Sequence, residues 1–352
     1  MHPFSYSRPT NVENAVQELA GPARAKFIAG GTNLLDLMKV NVEQPNQLID
    51  INRLPLNTID ELDNGGLRLG ALVTNADTAY HPLVEQRYPL LSQAILSAAS
   101  AQLRNMATNG GNLFQRTRCY YFYDTAMPCN KRQSGHSDQS AGVGPAGCGA
   151  LGGYNRIHAI LGTEASDGTV HCIATHPSDM AVALTALDAT IHITGPSGDR
   201  TLSIGNLHRL PGSEPQFDHT LRPDELVTAI ELPPQGFSDH HIYLKLRDRS
   251  SYAFALVSVA VGLEMDGDVI TDARLALGGV AHKPWRKPEA EQLLIGKTAT
   301  KDHFQPVAEA LLDGAVGYGH NTFKIDLAKR AILRALGLAS QKSERAKEQK
   351  GE

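Results

Sequence analysis

The sequence predicts an α+β chain of two or three domains, and three observations carry that prediction. At 352 residues the chain is long enough for several hydrophobic cores. Its first part alternates strands with helices in β-α-β order. Beyond Pro233 and Pro234 the pattern changes to a run of strands followed by a run of helices, as in a small α+β unit.

The elements follow in order. "SRPTNVENAVQEL" sets Val12, Ala15, Val16 and Leu19 at helical spacing behind the cap candidates Thr10 and Asn11. "AKFIAG" reads as a short buried strand, "GGTNLLDLMKV" turns into a helix, and "QLIDIN" is a second strand. "GLRLGALVTNADTAYHP" is a strand, a turn and a helix start. "LLSQAILSAASAQLRNMA" reads as one apolar helix ending at the turn "TNGGN". The stretch from Arg116 to about Thr175 is irregular, and its centre, "KRQSGHSDQSAGVGPAGCGALGG", lacks apolar periodicity. A structureless loop of that length is functional or disordered, and something other than an apolar core must fix it if it is ordered.

"HPSDMAVALTALDATIHIT" restores order as a helix capped by Ser178, then a strand. "GPSGDRTLSI" is a hairpin turn and strand, and "DELVTAIELP" another strand. From residue 236 to 338 three or four antiparallel strands, with a turn at "DGD", precede three helices, "PEAEQLLI", "FQPVAEALLDGAVG" and "FKIDLAKRAILRALGLA". The polar tail 339–352 is expected to be disordered.

Charged residues make up 20% of the chain and the net charge is −4, a balance that gives no support to nucleic-acid binding. No apolar run approaches the length of a membrane span. The N-terminal residues show no basic segment followed by an apolar one, so a secretion signal is not expected within this sequence. A reducing cytosol is then the default compartment, and disulfides are disfavoured there. Export in company with a signal-bearing partner would escape that test.

Two glycine turns, "FIAGGTN" and "TNGGN", place Gly-Gly between an apolar element and a polar residue. Such turns offer backbone N–H groups to an anion such as a diphosphate, and equally they are simple tight turns. Two formal G-x-G-x-x-G matches, Gly142/Gly144/Gly147 and Gly147/Gly149/Gly152, lie in the loop without the strand-turn-helix context of a dinucleotide fingerprint. The four cysteines are spaced C-x9-C-x18-C-x23-C. That spacing lacks the close pairs of structural zinc sites, yet the number suits an iron–sulfur cluster. Arg116, Arg118, Lys131 and Arg132 lie near them in sequence, and positive charge favours thiolate. The run Tyr120–Tyr123 is either a water shield or a buried strand. Spacing alone leaves [4Fe–4S], zinc and no metal all open.

At this point the chain resembles a known family: the FAD-binding medium subunits of the molybdenum hydroxylases, the xanthine dehydrogenase and carbon monoxide dehydrogenase group. The resemblance rests on "KFIAGGTNLLDLMK", "LIDIN", "LGALVTNAD", "LRNMATNGGNL", "HPSDMAVAL", "ELVTAIELP", "KLRDRSSYAFALVSVA" and "LGGVAHKPWR", in family order over residues 1 to about 338. Within the family it is most similar to the FAD and [4Fe–4S] subunit of bacterial periplasmic aldehyde oxidoreductase.

The resemblance implies a vanillyl-alcohol-oxidase-like (PCMH-type) two-subdomain FAD fold over residues 1–235, with an iron–sulfur insertion at about 116–175. A C-terminal domain would follow at 236–338. It implies FAD contacts from Phe27, Ile28, Ala29, Gly30, Gly31, Thr32, Asn33, Leu34 and Leu35, and from Thr108, Gly110, Gly111 and Asn112. Asp179, Val227 and Lys245 match further FAD contacts. It implies Cys119, Cys129, Cys148 and Cys172 as the ligands of a [4Fe–4S] cluster.

The implied role is electron transfer in a heterotrimer. A large partner holds a molybdenum-pterin site that oxidises an aldehyde, and a small partner holds two [2Fe–2S] clusters. FAD in this chain passes electrons to an external acceptor. No catalytic residue is therefore expected here, and the fourteen histidines show no H-E-x-x-H arrangement and are expected to be structural or exposed. Lys245 and Arg247 are candidates for stabilising an anionic reduced flavin. The alternatives are a 4-hydroxybenzoyl-CoA reductase-like or xanthine dehydrogenase-like subunit, a stand-alone flavoprotein, or a metal-sensing module. Co-export to the periplasm with a partner is the expected localisation, and the cytoplasm the alternative.

Overall fold

The computed structural model describes residues 1–21, 24–132 and 146–341. The centre of the expected loop and the polar tail lie outside these residues. Three sheets organise the chain, and each is set by a local sequence pattern.

The first is a parallel three-stranded sheet of order β1-β3-β2, formed by β1 (Ser5–Ser7), β2 (Ala25–Ile28) and β3 (Gln47–Asp50). The helix Val12–Leu19 crosses between β1 and β2, and the Asn11 side chain caps it by accepting from the Asn14 N–H at 2.8 Å. Ala15 and Val16 face inward and pack with Ile49 and Ile51. β2 was expected to be buried, yet its residues are at most partly covered, because it is the sheet's edge.

The second sheet is antiparallel, with order β4-β5-β8-β6-β7. Its strands are β4 (Ile59–Glu61), β5 (Leu67–Gly70), β6 (Thr190–Gly195), β7 (Gly198–Ser203) and β8 (Leu226–Leu232). The helices Pro89–Ser97 and Asp179–Ala186 pack over it around Leu67, Leu90, Ile95, Leu184 and Ile230, all essentially excluded from water. The expected single helix from Leu90 to Ala107 is broken. Ala99 takes a left-handed φ of 47°, and a second short helix, Ala101–Arg104, restarts behind Ser100, whose hydroxyl accepts from Leu103. The break frees carbonyls that Arg104 then satisfies at Leu96 (3.3 Å) and Ala98 (2.7 Å).

The third sheet is the C-terminal one, antiparallel β11-β10-β9, from β9 (His240–Leu246), β10 (Val257–Asp266) and β11 (Val269–Gly278). Three strands form, at the lower end of the expected number. The helices Lys301–Leu312 and Phe323–Ala339 cover it through Phe304, Val307, Ala331 and Leu336. "PEAEQLLI" is shorter than expected: one helical turn, Pro288–Glu291, followed by a 3-10 turn. Two α/β layers and a separate antiparallel sheet with helices on it thus make an α+β architecture, as the patterns predict.

Candidate functional site

The two glycine turns, far apart in sequence, lie against one another. A Cβ built on Gly30 would stand 1.8 Å from the Met106 carbonyl oxygen, so only glycine allows the first turn to approach the residues before the second. Gly31 takes φ 70°, which lets the chain turn from β2 into the helix Leu34–Lys39. Phe27 and Ile28 are on β2 itself, Ala29 to Asn33 form the turn, and Leu34 and Leu35 open the helix. The Asn52 amide holds the turn by donating to the Ala29 carbonyl at 3.1 Å.

The second "turn" is a short helix. Thr108 caps Asn109–Leu113 by accepting from the Gly111 N–H at 3.3 Å, so Gly110, Gly111 and Asn112 are helical. Behind it lies a buried amide network that the sequence reading missed. Asn109 donates to Thr78 Oγ1 at 2.8 Å, and Asn112 donates to Asn75 Oδ1 at 2.6 Å.

Asn112 also links this helix to the next group. Its Oδ1 accepts from Ser178 Oγ at 2.6 Å, and Ser178 in turn caps the helix that begins at Asp179. Asp179 and Lys245 form a buried ion pair, Nζ to Oδ2 2.8 Å, with side chains only 5% and 4% exposed. Tyr243, two residues before Lys245 on β9 and so on the same face, donates to Asp179 Oδ1 at 2.7 Å and lies 3.0 Å from Ser258 Oγ. Period-two spacing from Lys245 was the signal that could have found Tyr243. Lys245 and Arg247 both donate to the Ser97 carbonyl, at 3.1 and 2.8 Å, where the broken helix ends. Ser178 and Asp179 line a cleft with Arg118, His176, Phe254 and Gly279. Val227 is buried on β8, beside a register shift that leaves Thr228 unmatched on β6. The Thr228 carbonyl accepts from Ala71, and Ala71 accepts from Gly110. Every expected FAD contact thus belongs to one connected region.

The cysteines form a second group. Cys119, Cys129, Cys148 and Cys172 line one small cavity together with Phe122 and Lys131. Cys129 and Cys148 face each other in an isolated antiparallel bridge. The aromatic run is a short helix, Tyr120–Tyr123, which rules out the buried strand. Phe122 is buried, Tyr121 lies along the cavity, and Tyr120 is exposed. Gly149 and Gly153 make room for the Tyr121 side chain, since a Cβ on Gly149 would stand 2.5 Å from its ring and one on Gly153 2.0 Å from its hydroxyl oxygen.

The expected cationic surroundings are mostly committed elsewhere. Arg116 pairs with Glu43 at 2.6 Å and with Asp218 at 2.5 Å, Arg118 stacks over Phe254, and Arg132 donates to the carbonyls of Phe122 and Asp124. Burial therefore dominates the thiols: it pushes Cys119 up to about 12, raises Cys148, and raises Cys172 despite the opposing Lys131 ammonium. A ligand that replaces the proton would bring out the thiolates at these three positions. His158 was unforeseen. It is buried, with Nε2 3.1 Å from Cys119 Sγ. The two groups meet at Asn33, whose Oδ1 accepts from the Arg116 N–H at 2.8 Å.

No group of three or more His, Cys, Asp or Glu side chains among the described residues converges on a point suited to one metal ion. Among the described residues, no helix is long and apolar enough to cross a membrane.

Residues 2–235 match the family described as the FAD binding domain in molybdopterin dehydrogenase, and residues 242–339 that described as the CO dehydrogenase flavoprotein C-terminal domain. The chain is 48% identical over 341 residues to the aldehyde oxidoreductase FAD-binding subunit PaoB of Escherichia coli (strain K12), covering 96% of this chain and 99% of that one. It is 29% identical to the glyceraldehyde dehydrogenase medium chain of Sulfolobus acidocaldarius, over 87% of this chain and 85% of the relative. Among solved structures, a carbon monoxide dehydrogenase from Hydrogenophaga pseudoflava superposes with a TM-score of 0.72 at 25% identity, covering 96% of this chain and 97% of that one.

Proposed function

The chain belongs to the FAD-binding medium subunits of the molybdenum hydroxylases, and from that premise we propose that it carries FAD and a [4Fe–4S] cluster as the electron-transfer subunit of a molybdenum-dependent aldehyde oxidoreductase. When bound, these groups supply electron storage and relay between a [2Fe–2S] subunit and an external acceptor, while a large molybdenum subunit oxidises the aldehyde. The observation that carries the reading is the gathering of all four cysteines around one cavity beside the paired glycine turns.

The residues fit both groups. For FAD, Gly30 and Gly31 give a side-chain-free backbone facing the capped turn at Thr108, and Asp179, held by Lys245, lines the cleft as a buried acceptor. For the cluster, the donors are four thiols, soft ligands suited to iron–sulfur or zinc. A four-iron body takes one thiolate at each corner, which suits cysteines spread around a cavity.

In this reading the chain's own side chains bind and orient. Phe122 and Tyr121 exclude water from the cysteines, and Lys131 places a buried positive charge near Cys172. The amide network of Asn75, Asn109 and Asn112 fixes the second turn.

The domain limits proposed are 1–235 and 236–338, with the insertion at about 116–175. Co-export to the periplasm with a signal-bearing partner is proposed as well, and cell fractionation of the co-expressed complex tests it. The central test is purification of the chain co-expressed with its partners. Flavin, iron and sulfide are expected at roughly one FAD and four irons per chain. Zinc without iron would overturn the cluster, and absence of flavin would overturn the FAD role.

A further inference from the structure

We propose that His158 is a positioning residue for the cluster: it donates a hydrogen bond from Nε2 to the sulfur of Cys119 and sets the cluster's reduction potential, and Lys324 holds it in place from the C-terminal domain. The inference rests on the [4Fe–4S] reading given above.

Three observations carry it. The His158 ring is buried, the residue being 1% exposed, and its Nε2 lies 3.1 Å from Cys119 Sγ. A cluster-bound thiolate has lost its proton and can only accept, so in this proposal Nε2 carries the ring's hydrogen and the buried Nδ1 is left as the bare nitrogen. The backbone that carries the ring is also held from behind. Lys324, wholly buried on the helix Phe323–Ala339, donates to the His158 carbonyl at 2.7 Å and also reaches the Gly279 carbonyl. Asn321 adds a second hold by donating to the Ala159 carbonyl at 2.8 Å.

A lysine with no exposed surface that donates to backbone carbonyls across two segments is costly to keep there. Its effect is to pin the His158 loop against the last helix. The chain Lys324–His158–Cys119 therefore runs from the C-terminal helices to one cluster ligand. The neighbouring cations do not duplicate it: Arg116 and Lys131 share Asp218, and Arg118 stacks on Phe254.

An N–H aimed at a ligating sulfur stabilises the more negatively charged, reduced cluster, so it raises the reduction potential. The test is made on the co-expressed complex, with iron and sulfide measured first and the potential then read by EPR-monitored titration. His158→Phe removes the donor and His158→Gln keeps an N–H. The inference expects a more negative potential in His158→Phe and recovery toward the wild-type value in His158→Gln. It also expects an H2O/D2O shift of the Fe–S stretching band in the wild type that disappears in His158→Phe. Iron loss confined to His158→Phe, with His158→Gln fully loaded, would support the same donor role.

Equal potentials in all three fully loaded proteins would overturn the inference and leave the cluster reading standing. Iron loss in both variants would also overturn it, since that points to ring packing rather than donation. A wild-type complex without iron would overturn the cluster reading and this inference together.

Discussion

Asp179 concentrates the chemistry of the candidate flavin site in one side chain. Its two oxygens take the Lys245 ammonium and the Tyr243 hydroxyl in a region closed to water. Removing one member of a buried pair leaves the other charge uncompensated. Asp179→Ala is therefore expected to destabilise the protein by about 3–5 kcal/mol, measured by urea unfolding, and to lower flavin content. Asp179→Asn, which keeps hydrogen-bonding atoms, should lose less. At the cysteines the same scale predicts a separation of roles. The core around them is small, drawing on Leu37, Phe122, Ala150 and Ile173 besides the cysteines themselves. Cys129→Ser should lose iron yet retain FAD, and limited proteolysis should cut the chain within residues 116–175. Full iron content in that variant would remove Cys129 from the ligand set.

At the scale of elements, the approach of the two glycine turns depends on an absent side chain. Gly30→Ala would press a methyl group into the Met106 backbone, which cannot yield as a flexible side chain can. A loss of about 1–3 kcal/mol is expected from such overpacking, visible as a lower melting temperature, with weakened flavin retention because the turns move apart. Wild-type stability and flavin content in this variant would show that the turns need not touch. The broken helix at Ala98–Ser100 belongs to this scale as well. Its loose carbonyl at Ser97 receives Lys245 and Arg247, so the break ties the first domain's helices to β9. Lys245 and Arg247 are both committed to that helix end, and Lys245 is tied to Asp179 as well.

For the whole molecule, the interior where the three parts meet is rich in titratable groups. Burial draws His208 and His219 down to about 4, and holds His176 and His282 well below the ordinary histidine range. Their folded values lie below the unfolded value of about 6.5, so the unfolded chain binds more protons as pH falls through it. Stability should be level above pH ~7 and fall between pH ~6.5 and ~4, by up to about 1.4 kcal/mol per pH unit for each histidine kept neutral. Asp218 adds a loss at lower pH. Burial acts to raise its carboxyl, but Lys131 and Arg116 overcome this and hold it far below the usual range. Urea midpoints at pH 7.5, 6 and 5 check the prediction, and a flat profile would refute it.

Local pattern determined a good deal by itself. The period of the apolar residues marked the helix behind Asn11, the helix capped by Ser178 and the C-terminal strands, because burial on one face repeats with the geometry of the element. The first glycine pair marked a turn, since few other residues tolerate the left-handed φ of Gly31 or the close approach at Gly30, whereas the second pair lies in a short helix. The motifs in family order placed the chain among the medium subunits. Other features were decided only when distant segments packed. Nothing in sequence says that the arginines beside the cysteines turn to Glu43, Asp218 and Phe254, because a side chain's partner depends on what lies across the fold. The same holds for His158 at Cys119 and for Lys324 beneath it, residues separated by 39 and 166 positions from the groups they reach. Sequence named the cysteines as a set, and the tertiary structure decided which neighbours hold a proton, a charge or a ring against them.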